Sequence, residues 1–237
     1  TFTPSDTANY NTATTTVSVT VNKATPSITT IPIASDITYG QSVSGSSLSG
    51  GVASTTGVFT FNNGGISPNA GSSQQAVTFT PTDTANFTTA TTSVTLTTQK
   101  ATPSVTSNPI ASHITYGQAL SSSTLSDGLA SVPGTFAFTD STAKPNAGSE
   151  LQSVTFTPTE SSNFRNVVVN VSVTVAKATP SITTNPAASA ITYGQTLASS
   201  TLSGGVGSVA GSFTFTTSLT APNAGTASQG VTFTPTD

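Results

Sequence analysis

Apolar side chains alternate with threonine and serine along most of the chain. Val17, Val19 and Val21 are separated by single polar residues, and the same alternation returns around Val94 and Val171. Side chains two residues apart on a β-strand lie on the same face, so the pattern predicts strands with one apolar and one hydroxyl-bearing face. Threonine and valine are both branched at Cβ, which favours strands. Because no helix-length segment shows a 3.6-residue period, we predict an all-β fold.

The alternation is organised in a strict repeat of 77 residues. Four sequence markers return at this spacing with no insertion or deletion between copies. They are TFTP at Thr1, Thr78, Thr155 and Thr232, YGQ at Tyr39, Tyr116 and Tyr193, PNAG at Pro68, Pro145 and Pro222, and KATPS at Lys23, Lys100 and Lys177. A period of this length exceeds that of solenoid repeats and fits a small domain. We therefore predict tandem antiparallel β-sandwich modules of about seven strands, arranged as a rod.

The repeat divides the chain into two complete modules, a preceding piece and a final module that lacks its last strand. Residues 1–23 hold the last strands of a preceding module, and residues 24–100 and 101–177 are the two complete modules. Residues 178–237 form the module that lacks its final strand. Two interpretations of the ends stay open. Either the residues are a slice of a continuous array, or strand Thr14–Val21 of one copy completes the last module of the next. The regular joints favour the first interpretation.

Apolar positions in the first complete module define its predicted core. They are Ile37, Tyr39, Leu48, Phe59, Phe61, Val77, Phe79, Phe87, Val94 and Leu96. The segment Pro68–Gly71 predicts a tight turn in which Gly71 tolerates positive φ. Pro26, Pro103 and Pro180 fall between successive modules, where proline restricts the chain. We expect the joints to be short and stiff.

Composition narrows the range of functions. The chain has 5 Lys+Arg, 8 Asp+Glu, one His and no Cys, which argues against disulfides and against Cys-ligated or multi-histidine metal sites. A net charge of -3 gives no basic surface for nucleic acid, and no apolar run approaches the ~20 residues of a membrane helix. We predict no cofactor. The 51 Thr and 37 Ser supply the polar surface that charge does not, and are compatible with O-linked sugar.

Several phrases resemble a known family of repeats. TYGQ, PNAG, VTFTPTDTANF and VTVNKATPSIT are similar to bacterial immunoglobulin-like (Ig-like) repeats, including the MBG type, of large adhesin-like surface and secreted proteins. The resemblance covers the whole chain. It implies Ig-like sandwiches in a tandem extracellular array on a bacterial surface, and it implies no particular ligand. The run Asp6–Tyr10 also resembles the tyrosine corner of Ig domains, although Phe87 and Phe164 replace the tyrosine in later copies.

Three polar positions recur with the repeat. They are Lys23, Lys100 and Lys177, then Asp6, Asp83, Glu160 and Asp237, and then Asn9, Asn86 and Asn163. Lysine, asparagine and an acid can form an isopeptide bond when all three are buried in an apolar core. Because the lysine falls at the joint and the other two in a turn, we favour a solvated lysine and an Asx-stabilised turn. One recurring carboxylate per repeat is too few for a dedicated calcium cage.

Catalysis is not predicted, because no repeat combines a nucleophile with a base and an acid. We expect an extracellular structural protein that forms a bacterial surface filament or stalk, with itself as the partner. Two alternatives stay open: an adhesin module that binds a glycan or a host protein, and a spacer joined to an enzyme outside these residues. We expect the recurring Tyr39, Tyr116 and Tyr193 to be semi-buried residues at strand ends, and in the adhesin alternative they are the residues on which a sugar would stack.

Overall fold

The computed structural model describes residues 1–236, which form two compact units. The first unit consists of Thr1–Ile110, Leu125–Thr139 and Ser153–Val171. The second unit consists of Ala111–Thr124, Asp140–Gln152 and the residues from Ser172 onward. Strands, turns and three single-turn 3₁₀ helices account for the regular structure. We refer to residues 24–100, 101–177 and 178–236 as repeats 1, 2 and 3.

Repeat 1 contains eight strands and one 3₁₀ helix, all within the first unit. They are β1 (Ile28–Thr30), β2 (Ile33–Ala34), β3 (Ile37–Thr38), η1 (Val43–Gly45), β4 (Leu48–Ser49), β5 (Val52–Ala53), β6 (Gly57–Phe61), β7 (Gly71–Pro81) and β8 (Ala90–Gln99). Four strands form a sheet of order β3-β8-β7-β6, in which β3 and β8 run parallel and the other neighbours antiparallel. The remaining strands form the antiparallel pairs β1–β5 and β2–β4.

Repeats 2 and 3 reproduce these elements at the 77-residue spacing. Repeat 2 has β9 (Val105–Ser107), β10 (Ile110–Ala111), β11 (Ile114–Thr115), η2 (Leu120–Ser122), β12 (Leu125–Ser126), β13 (Leu129–Ala130), β14 (Gly134–Phe138), β15 (Gly148–Pro158) and β16 (Val167–Ala176). Repeat 3 has β17 (Ile182–Thr184), β18 (Ala187–Ala188), η3 (Leu197–Ser199), β19 (Leu202–Ser203), β20 (Val206–Gly207), β21 (Gly211–Phe215) and β22 (Val231–Pro235). The predicted all-β fold of repeated β-sheet modules is confirmed.

The core of repeat 1 lies between its four-stranded sheet and the β2–β4 pair. Most of the predicted core residues are found there. Ile37, Val77, Phe79, Val94 and Leu96 are buried, Leu48, Phe59 and Phe61 pack against the core cluster, and Tyr39 and Phe87 are half-buried. Two core residues were not predicted. Val43, on η1, is fully buried although its sequence neighbours are polar, and Ala34 on β2 completes the cluster.

The positive φ predicted at Gly71 is confirmed, with a value of 126°. Gly148 and Gly225 take the same conformation in the other repeats, at 130° and 126°. Residues with a side chain rarely adopt this region, which explains why glycine stands at this position in all three copies. The turn itself lies earlier than expected, over residues 62–65, and Gly71 begins β7.

Segment Thr14–Val21 was predicted as a strand, and the structure assigns it no strand. Only one bridge forms nearby, between Phe2 and Ala13. The physical reason is the lack of partners. The equivalent strand β8 is hydrogen-bonded to β3 on one edge and β7 on the other, whereas no described residue pairs with Thr14–Val21. An extended segment without such partners cannot satisfy its backbone groups within a sheet.

Repeat 3 shows what the final strand does for a repeat. No described strand in it corresponds to β8, and β21 and β22 alone form its larger sheet. Residues 191–192, which are equivalent to β3, do not form a strand. Strand β22 starts at Val231, whereas its counterpart β7 starts at Gly71, the equivalent of Gly225, so β22 begins six residues later in the repeat. Both differences fall where the neighbouring repeats pair with their final strand. Pairing with that strand therefore orders the two segments beside it.

One buried group in repeat 1 has no partner. The Thr98 hydroxyl, on β8, is buried and makes no hydrogen bond within the described residues. Repeat 2 has Val175 at the equivalent position, also buried. An unpaired buried hydroxyl costs about 1–3 kcal/mol, and valine has the same shape without the polar atom.

We therefore expect Thr98→Val to stabilise repeat 1 by about 1 kcal/mol or more, and Val175→Thr to destabilise repeat 2 by about 1–3 kcal/mol. The measurement is the free energy of opening from native-state amide hydrogen exchange in β8 and β16. Ser93→Ala, on the exposed face of β8, is the control and should change that free energy by less than about 0.5 kcal/mol. Loss of stability in Thr98→Val would show that the hydroxyl is satisfied.

Candidate functional site: the joint between repeats 1 and 2

The chain passes from repeat 1 to repeat 2 without a free linker. At the end of β8, the Gln99 carbonyl accepts a hydrogen bond of 2.8 Å from the Tyr39 amide. Two residues later, Ala101 forms a parallel bridge with Phe164, in which its amide donates to the Asn163 carbonyl at 3.0 Å. Only Lys100 separates the backbone that is bonded within repeat 1 from the backbone that is bonded within repeat 2. These residues all belong to the first compact unit.

An aromatic contact spans this joint. The rings of Tyr39 and Phe164 meet edge to face, with centroids 5.2 Å apart and an interplanar angle of 83°. This is a preferred geometry for two aromatic rings. The Tyr39 hydroxyl donates a long hydrogen bond of 3.4 Å to Glu160. A cleft of about 330 Å³ lies beside the pair, and its lining on the repeat 2 side includes Val132 and Pro133.

Asn163 provides a second, polar contact across the joint. Its side-chain carbonyl accepts a 2.9 Å hydrogen bond from the Ala70 amide, and its side-chain NH₂ donates to the Asn69 side chain at 3.4 Å. Asn163 is 7% exposed, so these bonds form largely away from water. A buried amide of this kind is costly unless it is hydrogen-bonded, and here repeat 1 supplies the partners. The recurring asparagine of repeat 2 thus binds the PNAG segment of repeat 1.

The equivalent turn in repeat 1 uses its asparagine differently. Asp83 accepts hydrogen bonds from the backbone amides of Ala85 and Asn86, at 3.1 Å each, and from the Asn86 side chain at 2.8 Å. Asp6 and Asn9 make the same set in the preceding copy. In repeat 2 the acid is Glu160, and no hydrogen bond joins its side chain to the Asn163 amide. The change from Asp to Glu accompanies the use of Asn163 and Glu160 in the joint.

The lysines at the joint bind backbone carbonyls of this turn. Lys23 Nζ donates to the Thr84 carbonyl at 2.7 Å, and Lys100 Nζ donates to the Ser161 carbonyl at 2.6 Å. Both lysines are exposed, as are Asp83 and Asn86, so the structure does not provide the apolar burial that an isopeptide bond needs. Lys177 is also exposed. Each contact ties the lysine that directly precedes a repeat to the turn of that repeat.

The three recurring tyrosines are in different surroundings. Tyr39 is half-buried against Phe164, whereas Tyr116 is 47% exposed and Tyr193 is 74% exposed. The backbone of Tyr116 keeps the bond seen at Tyr39, because its amide donates to the Ala176 carbonyl at 2.8 Å. The difference between the tyrosines is therefore in what their rings contact. Sequence reasoning placed all three as semi-buried residues at strand ends, which holds for Tyr39 alone.

Across residues 1–236, no three His, Asp or Glu side chains come together as ligands for a metal ion. In the same part of the chain, no helix has both the length and the apolar character needed to cross a bilayer. The polar contacts described above join side chains of repeat 2 to groups of repeat 1.

Comparisons with known proteins give distant likenesses only. No family model and no curated protein matches the chain. Among solved structures, Drosophila N-cadherin EC1-4 aligns with a TM-score of 0.32 and 13% identity over 65% of this chain, which spans half of that chain. Sidekick-1 immunoglobulin domains 1-5 align with a TM-score of 0.29 and 11% identity, over 68% of this chain and 41% of that chain. The titin I-band fragment I67-I69 aligns with a TM-score of 0.30 and 11% identity, over 68% of this chain and 69% of that chain. Likenesses at this level carry no argument about function.

The Asp83 turn allows a test of its hydrogen bonds. The side-chain amide of Asn86, followed by the backbone amides of Asn86 and Ala85 and the charge of Lys23, holds the pKa of the Asp83 carboxyl below its usual 3.8. A carboxyl with a lowered pKa in the folded state stabilises that state above its usual pKa, and the contribution is lost as the pH falls through the lowered value.

We expect Asn86→Ala to raise the pKa of Asp83 towards 3.8, as measured by ¹³C NMR titration of the carboxyl. The matched control is Asn9→Ala, one repeat earlier, which should raise the pKa of Asp6 and leave that of Asp83 unchanged. An Asp83 pKa that does not respond to Asn86→Ala would contradict the hydrogen-bond assignment.

Proposed function

We propose that this chain is an extracellular structural protein whose repeats form a stiff array in a bacterial surface filament or stalk. The observation that carries the proposal is the joint, where a single residue separates the two hydrogen-bonded segments and where Tyr39, Asn163 and Glu160 add side-chain contacts. Relative motion of the repeats would break these contacts together. A protein that had only to tether two domains would need none of them.

The surface composition supports the same proposal. Charged residues make up 5% of the chain, and strand faces directed to solvent carry threonine and serine. Many hydroxyls with few charges suit a long-lived extracellular surface, and they offer acceptors for O-linked sugar. The resemblance of TYGQ, PNAG and KATPS to bacterial Ig-like repeats points the same way. No catalytic role is proposed, because no repeat combines a nucleophile with a base and an acid in its sequence.

A test of the proposal measures the distribution of distances between one position in repeat 1 and one in repeat 2. The chain has no cysteine, so spin labels can be placed cleanly at the exposed, equivalent positions Val58→Cys and Thr135→Cys. Electron–electron double resonance should give a narrow distance distribution in this background. Adding Tyr39→Ala should broaden it, because the ring contact with Phe164 and the bond to Glu160 are lost.

The matched control is Tyr116→Ala, which alters the equivalent residue one repeat later and should leave the distribution narrow. A broad distribution before any tyrosine is changed would contradict the stiff joint and with it the structural role. Immunogold labelling of thin sections of the source cells tests the location, since label confined to the interior would rule out a surface filament or stalk.

An adhesin role is the second candidate, and the exposure of Tyr116 and Tyr193 is the observation that favours it. Exposed tyrosines stack on sugar rings through their faces. If the chain binds glycans in this way, a glycan array should show signals that fall at least tenfold in the Tyr116→Ala, Tyr193→Ala double variant. The control is Tyr39→Ala, whose ring is already in contact with Phe164. Signals that survive in the double variant, or that never appear, would exclude the tyrosines as a glycan site.

A further inference from the structure

The turn between β6 and β7 of repeat 1 contains an asparagine that is followed directly by glycine. The turn covers residues 62–65, and the two residues are Asn63 and Gly64. Every other asparagine of the chain precedes a residue that has a side chain. Glycine has no Cβ, so its backbone nitrogen is open to close approach. Asn63 therefore has a neighbour that its side chain can reach without steric hindrance.

The two groups that could react with each other are free of hydrogen bonds. The Asn63 side chain is exposed and makes no hydrogen bond within residues 1–236, and the Gly64 amide donates to no acceptor in the same range. The preceding Asn62 differs, because its side-chain carbonyl accepts a 2.7 Å bond from the Thr78 hydroxyl. No bond has to break before the Asn63 side chain turns towards the Gly64 nitrogen.

We infer that Asn63 is a site of spontaneous covalent modification, at which it loses its side-chain amide and the backbone is rerouted through its side chain. The Gly64 nitrogen attacks Cγ of Asn63 and forms a C–N bond. The side-chain nitrogen leaves as ammonia and takes the proton of the Gly64 amide. Water then opens the cyclic imide. Opening at Cγ gives aspartate, and opening at the main-chain carbonyl carbon gives isoaspartate, whose chain continues through Cγ.

Repeats 2 and 3 do not offer this chemistry at the equivalent turn. Position 63 corresponds to Asp140 and Thr217, and position 64 to Ser141 and Ser218. Asp140 has no amide to lose, and its Oδ1 accepts hydrogen bonds from the amide and hydroxyl of Thr142 at 3.0 and 2.7 Å. Thr217 has no side-chain carbonyl. At this turn the modification is therefore confined to repeat 1.

The same turn holds a core residue of repeat 1 in place. The Gly64 carbonyl accepts a 2.7 Å bond from the Ser44 amide, and the Ile66 carbonyl accepts a 2.8 Å bond from the Val43 amide. Both donors lie on η1, and Val43 is fully buried. Isoaspartate lengthens the backbone by one carbon just before Gly64, which displaces these acceptors relative to η1. We expect the modification to loosen η1 and the core beneath it.

The first test follows the mass of repeat 1 while the full chain is kept at mildly alkaline pH. Cleavage after the exposed Lys23 and Lys100 releases residues 24–100 as one peptide. Its mass should rise as NH₂ is replaced by OH, and incubation in ¹⁸O-water should place the label at Asn63. Asn69 lies in the same peptide and precedes alanine, so it should convert at least tenfold more slowly.

Two glycine substitutions separate this chemistry from unspecific hydrolysis. A Cβ at position 64 would meet Ser44 at 3.4 Å, an ordinary contact, and one at position 65 would meet nothing within 4 Å. Neither glycine has a positive φ, so both alanine variants should fold. Gly64→Ala should slow the conversion of Asn63 at least tenfold, because the new side chain hinders the attack. Gly65→Ala is the matched control and should leave the rate unchanged.

The second test measures what the modification does to repeat 1. Amide hydrogen exchange at Val43 and Ser44 should be faster in the isoaspartate form than in fresh protein. The equivalent amides of Leu120 and Ser121 in repeat 2 are an internal control and should exchange at the same rate in both. Asn63→Asp reproduces the other product without lengthening the backbone, and it should exchange like fresh protein.

Three outcomes would overturn the inference. They are an Asn63 that converts no faster than Asn69, a rate that does not respond to Gly64→Ala, and η1 amides whose exchange is the same in the fresh and isoaspartate forms. The inference goes beyond the proposed structural role and does not depend on it. The distance distribution between repeats 1 and 2 tests the stiff joint whether or not Asn63 is converted.

Discussion

The final strand of a repeat is the element on which the other parts of the structure depend. In repeat 1, β8 lies between β3 and β7 and contributes Val94 and Leu96 to the core. Its last residue accepts the bond from Tyr39, and the chain then reaches Ala101, which is bonded in repeat 2. One strand therefore closes one sandwich and begins the next. Because both tasks fall on the same residues, the core of a repeat and the position of its neighbour are set together.

The long strands could be predicted from the sequence, and the short ones could not. Strands β7 and β8 have eleven and ten residues, and in each the alternation of apolar and hydroxyl residues runs over five positions, 77–81 and 93–97, which is enough to identify a strand and its buried face. Strands β2 to β5 have two residues each, which is a single period of the strand alternation and too short to identify a strand. Val43 shows the same limit, since a single apolar residue in a polar stretch gives no sign that it is fully buried. Conversely, Thr14–Val21 has the pattern of a strand without the partners that make one.

Only those contacts of the site that join residues close in sequence could be predicted. The Asx turn at Asp83 and Asn86 follows from residues three apart, and the sequence analysis favoured it. The contact of Asn163 with Ala70 joins residues 93 apart and depends on how two repeats meet, which no local pattern specifies. One signal was available in the sequence: Glu160 replaces the aspartate of the earlier copies. Such a change in an otherwise regular repeat marks a position where the surroundings differ.

The parallel pairing of β3 with β8 has a mechanical consequence. Tension along the backbone pulls β3 towards the start of the chain and β8 towards its end. Since the two strands run parallel, with Ile37 beside Thr98 and Thr38 beside Gln99, this load slides them along each other. The interstrand bonds then carry the load at the same time, whereas an antiparallel hairpin pulled at its open end would lose its bonds one after another. A repeat joined in this way resists extension most strongly along the direction in which the chain continues.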